Sequence, residues 1–164
     1  MKIAIASDHA GFTLAVELKT YLTDSGHQCI DFGANKLDPK DDYPDFVLPA
    51  ARAVASGECE RGIVIGGDGQ GEAMAANRIK AVRCGVYYGP ATPKGIVDIS
   101  GRVSHNPYEM VKLIRQHNNA NMLSLAARFL SPMDAKNAIK LWLETSFSDE
   151  SRHARRLAKL DERS

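Results

Sequence analysis

Two carboxylates lie in and beside a glycine-rich loop near the middle of the chain, where they could transfer protons. Asp68 stands inside residues 66–72, the glycine loop, and Glu72 closes it. Closely spaced glycines let several backbone N–H groups approach a ligand, and such donors stabilise an oxyanion. Because a simple phosphate cradle would avoid negative charge, the combination predicts proton transfer beside a stabilised oxyanion. The alternative is a tight turn with solvated acids, since glycine-rich motifs also occur by chance.

A second polar pair, Asp8 and His9, directly follows a short apolar run at residues 2–6. One interpretation is that Asp8 caps the next helix while His9 is solvated. The other is that both residues contact a substrate hydroxyl or phosphate, because ligands of parallel sheets bind beyond the carboxyl ends of strands. The residues alone leave both interpretations open.

His117 opens a third polar segment, residues 117–121, which contains three asparagines. Asparagine side chains pair with nearby backbone, so the segment is typical of a helix that ends and turns into a strand. The functional alternative makes His117 an acid or base, because imidazole titrates near neutral pH.

Arginines near the end of the chain form a possible phosphate site. Arg152 and Arg156 are four residues apart, so on a helix they share one face, and Arg128 could join them. The alternative is that residues 151–164 are a charged, solvated tail, as such basic runs usually are.

The segments around these groups alternate between strand-like and helix-like patterns. Short apolar runs predict strands at residues 2–6, 28–32, 63–65, 83–88 and 122–125. Helical spacing predicts helices at 12–25, 45–56, 73–79, 107–116 and 132–145. The expected buried residues are Leu14, Val16, Leu18, Tyr21 and Leu22 in the first helix, and Ala135, Ile139, Leu141 and Trp142 in the last. The alternation predicts an α/β fold with a parallel sheet covered on both faces.

Composition narrows the class of protein. A chain of 164 residues with 44% hydrophobic and 25% charged residues predicts one globular domain, residues 1–164. The formal net charge of +1 gives no support for nucleic-acid or membrane partners, and no segment has the length of a membrane span. The N-terminus does not resemble a signal peptide, and the three cysteines lack metal-binding spacing. These features predict a cytoplasmic protein with reduced thiols.

Taken together, the motifs resemble the ribose-5-phosphate isomerase B family, which includes the galactose-6-phosphate isomerase subunits. The resemblance is carried by IASDHAGF at 5–12, DFG at 31–33, DYPDF at 42–46, GGDGQGE at 66–72, AAN at 75–77, RQHNNAN at 115–121, AR at 127–128 and RHARR at 152–156. It covers nearly the whole chain in the family's order. It implies a Rossmann-like α/β/α sandwich with a five-stranded parallel sheet, and a homodimer or tetramer with an active site shared between subunits. It also implies no metal and no cofactor.

The resemblance assigns a role to each candidate residue. One branch of the family has a cysteine base at the position of Gly66, whereas this chain resembles the branch with glycine there and a glutamate base at Glu72. Asp68 and His117 would assist opening of the sugar ring. The substrate-binding positions are Asp8, His9, Tyr43, Gly67, Gly69, Gly71 and Asn118, and the phosphate-binding positions are His9, Arg128, Arg152 and Arg156. The implied reaction interconverts D-ribose 5-phosphate and D-ribulose 5-phosphate through a cis-enediolate, within the pentose phosphate pathway.

Two features depart from the family pattern. Asp68 is a carboxylate where the family has threonine or serine, and residues 89–105 form an insertion after the fourth strand, which can reshape the substrate entrance. An isomerase of another sugar or sugar phosphate is therefore an alternative. A non-catalytic phosphosugar-binding protein is a second alternative. A dinucleotide enzyme fits less well, because no ribose-binding acid follows the glycine loop at the expected offset.

Overall fold

The computed structural model describes residues 1–162, and five parallel strands within them form one sheet. The strands are β1 (Lys2–Ser7), β2 (Gln28–Asp31), β3 (Arg61–Gly66), β4 (Cys84–Tyr87) and β5 (Met122–Ala126). Their order across the sheet is β2-β1-β3-β5-β4, and each adjacent pair is parallel. Since β1 and β3 are neighbours, the polar residues that follow these two strands lie at one edge of the sheet.

Helices cover both faces of this sheet. They are α1 (Phe12–Asp24), α2 (Pro44–Ala55), α3 (Gln70–Ala76), α4 (Glu109–Asn118), α5 (Pro132–Glu144) and α6 (Ser151–Asp161). Buried residues of α1, α4 and α5 pack in one core cluster, and those of α2 and α3 pack in another. The predicted Rossmann-like α/β/α sandwich with a five-stranded parallel sheet is confirmed.

Residue size differs between the two faces of the sheet. Ile3 and Ile5 of β1 belong to the cluster that contains Trp142 of α5. The alternate residues Ala4 and Ala6 belong to the cluster under α2, which is itself rich in buried alanines. Successive side chains of a strand point to opposite faces, so one strand supplies large residues to one core and small residues to the other.

The prediction of burial is wrong for two residues, Val16 and Leu141. Val16 is 46% exposed, because Leu14, Leu18 and Leu22 define the buried face of α1 and Val16 points away from it at 100° per residue. Leu141 is only partly buried, because it lies beside rather than within the buried face that ends at Trp142 of α5.

The segment between β4 and α4 contains the predicted insertion, and its turns are hydrogen-bonded. Asp98 Oδ1 accepts from the backbone N–H of Ser100 at 2.9 Å, and Ile96 pairs with Val103 in a single antiparallel bridge. Arg102 Nη2 lies 2.7 Å from Glu109 Oε1, and the Glu109 residue is only 1% exposed. This segment is therefore attached to the first turn of α4 by a buried carboxylate.

The charged segment at the end of the chain is not a solvated tail over most of its length. Residues 151–161 form α6, which packs through the buried side chains of His153 and Leu157. The last two residues of the predicted tail, 163 and 164, lie outside the described residues. None of the helices described in residues 1–162 is long and apolar enough to cross a membrane.

The three cysteines are free thiols, with Cys59 buried and Cys29 and Cys84 half-buried. Burial raises the pKa of all three thiols, that of Cys84 to about 12. Because thiolates are the reactive form of cysteine, these side chains are poor nucleophiles at neutral pH.

Candidate active site

A cleft of about 340 Å³ lies beyond the carboxyl ends of β1 and β3, and we call it the Glu72 cleft. Its lining residues are Asp8, His9, Ala10, Tyr43, Gly67, Asp68, Gln70, Gly71, Glu72 and Arg128. All of them except Ala10 and Gln70 are among the residues predicted from the sequence. The location agrees with the rule that parallel sheets bind ligands beyond the carboxyl ends of their strands.

The glycine loop makes a sharp turn from β3 into α3. Gly69 has a φ of 74° and precedes the first residue of α3, and Asp68 Oδ1 accepts from the backbone N–H of Gln70 at 3.0 Å. The helix begins at Gln70, whereas the sequence predicts a start at residue 73. Gly71 and Glu72 therefore lie in the first turn, where backbone N–H groups have no partner within the helix.

Glu72 lies over Gly66, the last residue of β3. A Cβ atom built at position 66 would overlap the Glu72 carboxylate, so only glycine leaves room for this side chain. Glu72 is 4% exposed although its carboxylate lines the cleft. Burial raises the pKa of Glu72, and the negative charges of Asp8 and Asp68 raise it further, against a hydrogen bond to its own backbone. A carboxylate with a raised pKa is a stronger base than an ordinary glutamate.

Asp8 does not cap helix α1, because the N-cap residue is Gly11 and the helix has no side-chain cap hydrogen bond. Asp8 Oδ1 instead accepts from the backbone N–H groups of Ala10 and Gly11 at 3.0 and 3.2 Å and holds the turn after β1. Asp8 and His9 both line the Glu72 cleft. His9 Nδ1 lies 2.6 Å from Oδ1 of Asp41, a residue that the sequence does not mark as part of a site. Only the tertiary structure brings Asp41, 32 residues away, to His9.

Arg128 and Tyr43 each pack against a glycine of the glycine loop. A Cβ atom at Gly67 would lie 3.1 Å from Cζ of Arg128, so the guanidinium lies directly over this glycine. A Cβ atom at Gly71 would lie 2.8 Å from Cζ of Tyr43. Close contact of both side chains with the loop backbone explains why glycines recur there. Gly69 is buried behind the loop, where its carbonyl accepts from Ser124 Oγ at 2.6 Å.

The other predicted site residues lie on α4 and α6, outside the lining of the Glu72 cleft. His117 lines a second cleft of about 250 Å³, with Asp98, Arg102, Lys112, Gln116, Ser148 and Glu150, and we call it the His117 cleft. Asn118 is the last residue of α4. Arg152 and Arg156 are on α6, and Arg152 Nε donates to Glu150 Oε2 at 2.7 Å. Within residues 1–162, the two clefts have no lining residue in common.

His117 packs against a second histidine. Its ring centroid lies 4.3 Å from that of His153, which is 2% exposed and has Nδ1 2.8 Å from Ser148 Oγ. Burial lowers the pKa of His117, and the charges of His153 and Arg152 lower it further. This downward shift favours the neutral form of the His117 imidazole. The structural interpretation of residues 117–121 is also correct, because Asn119 ends α4 in a left-handed conformation with φ 43°.

Within the described part of the chain, one group of side chains could coordinate a metal ion, and it consists of Asp8, His9 and Asp41. One potential ligand atom from each residue lies within 4.8 Å of the others. The 2.6 Å separation of His9 Nδ1 and Asp41 Oδ1 is that of a charge-assisted hydrogen bond, in which a proton lies between these two atoms.

Comparisons with known proteins identify the family. Residues 3–160 match the protein family described as Ribose/Galactose Isomerase. The ribose-5-phosphate isomerase B of Mycolicibacterium paratuberculosis is 34% identical over 96% of this chain and 87% of that protein.

Solved structures give the same result. The structure of Clostridium thermocellum ribose-5-phosphate isomerase B is 38% identical, with a TM-score of 0.84 over 99% of this chain and 96% of that one. The Mycoplasma genitalium ribose-5-phosphate isomerase B, solved with bound ribulose-5-phosphate, is 32% identical, with a TM-score of 0.83 over 99% of this chain and 95% of that one.

Proposed function

The chain belongs to the ribose/galactose isomerase family, and we propose that it is an aldose–ketose isomerase that interconverts D-ribose 5-phosphate and D-ribulose 5-phosphate. The observation that carries the proposal is the Glu72 carboxylate, which is buried over Gly66 and lines the cleft. The reaction requires no metal or cofactor, and it belongs to the pentose phosphate pathway in the cytoplasm. The structure of the Mycoplasma genitalium relative contains bound ribulose-5-phosphate, which supports the choice of this sugar phosphate as substrate.

Glu72 acts as the base. An aldose and its ketose differ by one proton on adjacent carbons and one on their oxygens, so a single carboxylate across both carbons can catalyse the transfer. Glu72 removes the proton from C2, a cis-enediolate forms, and the Glu72 carboxyl group, after partial proton exchange with solvent, delivers a proton to C1. Its raised pKa supports this role, because a base works best when its pKa approaches the working pH.

Backbone groups of the glycine loop stabilise the enediolate. The N–H groups of Gly67, Gly69 and Gly71, with the side chain of Asn118, are the donors we assign to its oxygens. One well-placed donor of this kind contributes roughly 3–4 kcal/mol to transition-state stabilisation in other enzymes. Asp68, exposed at the mouth of the cleft, and His117 assist the earlier opening of the sugar ring.

The substrate phosphate binds between His9 and Arg128. The charges of these two groups are offset in the same region by the carboxylates of Asp8 and Asp41, which lie 3.9 and 2.6 Å from His9 Nδ1. A phosphate dianion therefore requires further cations near the Glu72 cleft.

Arg152 and Arg156 of a second copy supply these cations. Both are on α6 and are four residues apart, so they share one helix face. The same second copy brings His117 and Asn118 to the Glu72 cleft. We therefore propose a homodimer, alone or paired into a tetramer, in which each active site is made from two subunits.

The insertion supports one alternative, an isomerase of another sugar or sugar phosphate. Asp98 and Arg102 of the insertion line the His117 cleft, so they can select among sugars that reach His117. A non-catalytic phosphosugar-binding protein is the other alternative, and it would have no use for the buried Glu72 carboxylate.

The test is an assay of tetrose, pentose and hexose phosphates for aldose–ketose interconversion in the presence of a metal chelator. We expect the highest kcat/KM with ribose 5-phosphate and its loss in Glu72→Gln. Solvent deuterium should enter C2 of the substrate in the parent protein only. A chain that binds sugar phosphates without exchange is a binding protein, and a higher kcat/KM with another sugar identifies a different isomerase.

A further inference from the structure

His9 and Asp41 form a close pair at one edge of the Glu72 cleft. His9 Nδ1 and Asp41 Oδ1 are 2.6 Å apart, and the same oxygen accepts from the His9 backbone N–H at 3.2 Å. Asp41 therefore holds both the main chain and the ring of His9. Within residues 1–162, no hydrogen bond reaches the other ring nitrogen, Nε2. This nitrogen is the one that can donate to a bound anion.

Asp41 is buried more deeply than its partner. Its side chain is 10% exposed, that of His9 is 29% exposed, and Asp41 Oδ2 is buried without a hydrogen-bond partner among the described residues. A buried carboxylate that lacks one of its hydrogen bonds is stable only beside a compensating charge. The histidine is the cation in contact with it, so this geometry favours a charged imidazole.

We propose that Asp41 is a positioning residue for phosphate recognition, which fixes the His9 ring with Nδ1–H directed to its carboxylate so that Nε2–H donates to the substrate phosphate. This assignment rests on the proposed function, because it takes a sugar phosphate as the ligand of the Glu72 cleft. Asp41 itself touches no substrate; it acts through His9. An unassisted histidine would be largely neutral at neutral pH and could present either ring nitrogen to the cleft.

The charged groups that face His9 act in both directions. The hydrogen bond to Asp41 raises the pKa of His9 most, burial opposes it, the charges of Asp8 and Asp41 raise it, and Arg128 lowers it. The net direction is upward from 6.5. His9 therefore keeps its charge at a pH at which a free histidine has lost it. Its contribution to phosphate binding is lost as the pH rises through the raised pKa of His9.

The test compares Asp41→Asn with Asp45→Asn. The control removes the same charge from an exposed residue in the first turn of α2, four positions away. Binding of inorganic phosphate is measured by calorimetry at slightly alkaline pH, and the His9 ring is titrated by proton–nitrogen NMR. We expect phosphate affinity to fall about tenfold in Asp41→Asn, the effect of losing one charge-assisted contact, and to stay unchanged in Asp45→Asn.

Kinetics and NMR separate this role from a structural one. In Asp41→Asn we expect KM to rise about tenfold while kcat changes less than about twofold, and the His9 pKa to fall. Unchanged phosphate affinity together with an unchanged His9 titration would overturn the proposal. A His9 pKa at or below 6.5 in the parent protein would also overturn it, even if the variant did not fold. If the parent catalysed no isomerisation but the NMR shift were present, the substrate assignment would fail and the role of Asp41 would stand.

Discussion

At the scale of single residues, Gly66 and Glu72 share one space. The glutamate carboxylate occupies the position that any side chain at residue 66 would need. Gly66→Ala should therefore displace Glu72 and lower kcat by about 100-fold or more, the contribution typical of a general base. The fold should survive, because the displaced atoms are the end of a flexible side chain. Gly95→Ala is the control, since a Cβ atom there meets nothing within 4 Å. A Gly66→Ala enzyme with parental kcat would show that Glu72 is not the base.

The raised pKa of Glu72 predicts how the activity depends on pH. The base must be ionised, so kcat/KM should fall as the pH drops through a value above the ordinary 4.5. Asp68→Ser removes a charge that raises this pKa, so the acid limb should move to lower pH. An acid limb that is identical in parent and Asp68→Ser would exclude Asp68 from the proton chemistry.

Stability follows from the same shift. A folded-state pKa above the unfolded value means that folding favours the protonated carboxyl, so stability falls as the pH rises from the unfolded pKa to the folded pKa, and the full loss persists at higher pH. Glu72→Gln should therefore raise Tm at neutral pH and have little effect below the unfolded pKa, as calorimetric scans would show. An equal change in Tm at both pH values would contradict this explanation.

Most of the residues of the Glu72 cleft could be predicted from the sequence, and Asp41 could not. The glycine loop and Asp8-His9 follow strands directly, so their position depends only on local sequence and on a parallel sheet. Asp41 reaches His9 across 32 residues of sequence, and no local pattern encodes that contact.

At the scale of elements, the insertion is held by an ion pair that the sequence does not reveal. Burial raises the pKa of Glu109, but hydrogen bonds from Arg102 and Ser104 outweigh it, and the net direction is downward. Arg102 also donates to Asp98 at 2.7 Å, so one guanidinium joins the turn of the insertion to α4.

Arg102→Gln should lower Tm, because it leaves the Glu109 carboxylate, only 1% exposed, with weaker partners. Thermal unfolding at neutral pH would measure this loss. Lys94→Ala, an exposed change in the same segment, should leave Tm unchanged. A loss in Arg102→Gln no greater than that in Lys94→Ala would mean that the ion pair contributes nothing to holding the insertion.

The order of the strands and helices could be predicted from hydrophobic patterns. The residues at which they begin and end could be predicted less well. Helix α3 begins at Gln70, because Gly69 supplies the left-handed residue and Asp68 pairs with the next N–H, a local turn that apolar spacing does not register. The charged run at 151–161 is helical although only two of its side chains, His153 and Leu157, are buried. A sequence with so few apolar residues on one helix face is hard to distinguish from that of a solvated tail.

At the scale of the whole molecule, the candidate catalytic groups are divided between two clefts of one chain. Glu72 lines one cleft and His117 lines the other. The proposed dimer unites them, and it predicts complementation between two inactive variants. Glu72→Gln and His117→Asn, mixed after denaturation and refolding together, should recover about one quarter of the parental activity, because half of the dimers are mixed and each holds one intact site.

The same variants refolded separately should stay inactive and serve as controls. No recovery on mixing, with mixed dimers verified by mass spectrometry, would show that His117 and Glu72 of different chains do not work together.

The glycine at position 66 also bears on how this enzyme could be inhibited. Alkylating compounds directed at a cysteine base would find no thiol at the bottom of the cleft, and the protonated Cys84 offers no reactive substitute. Electrophilic compounds that act by modifying a cysteine at this position should therefore leave this enzyme unmodified. A selective ligand would instead have to be a reversible mimic of the planar enediolate.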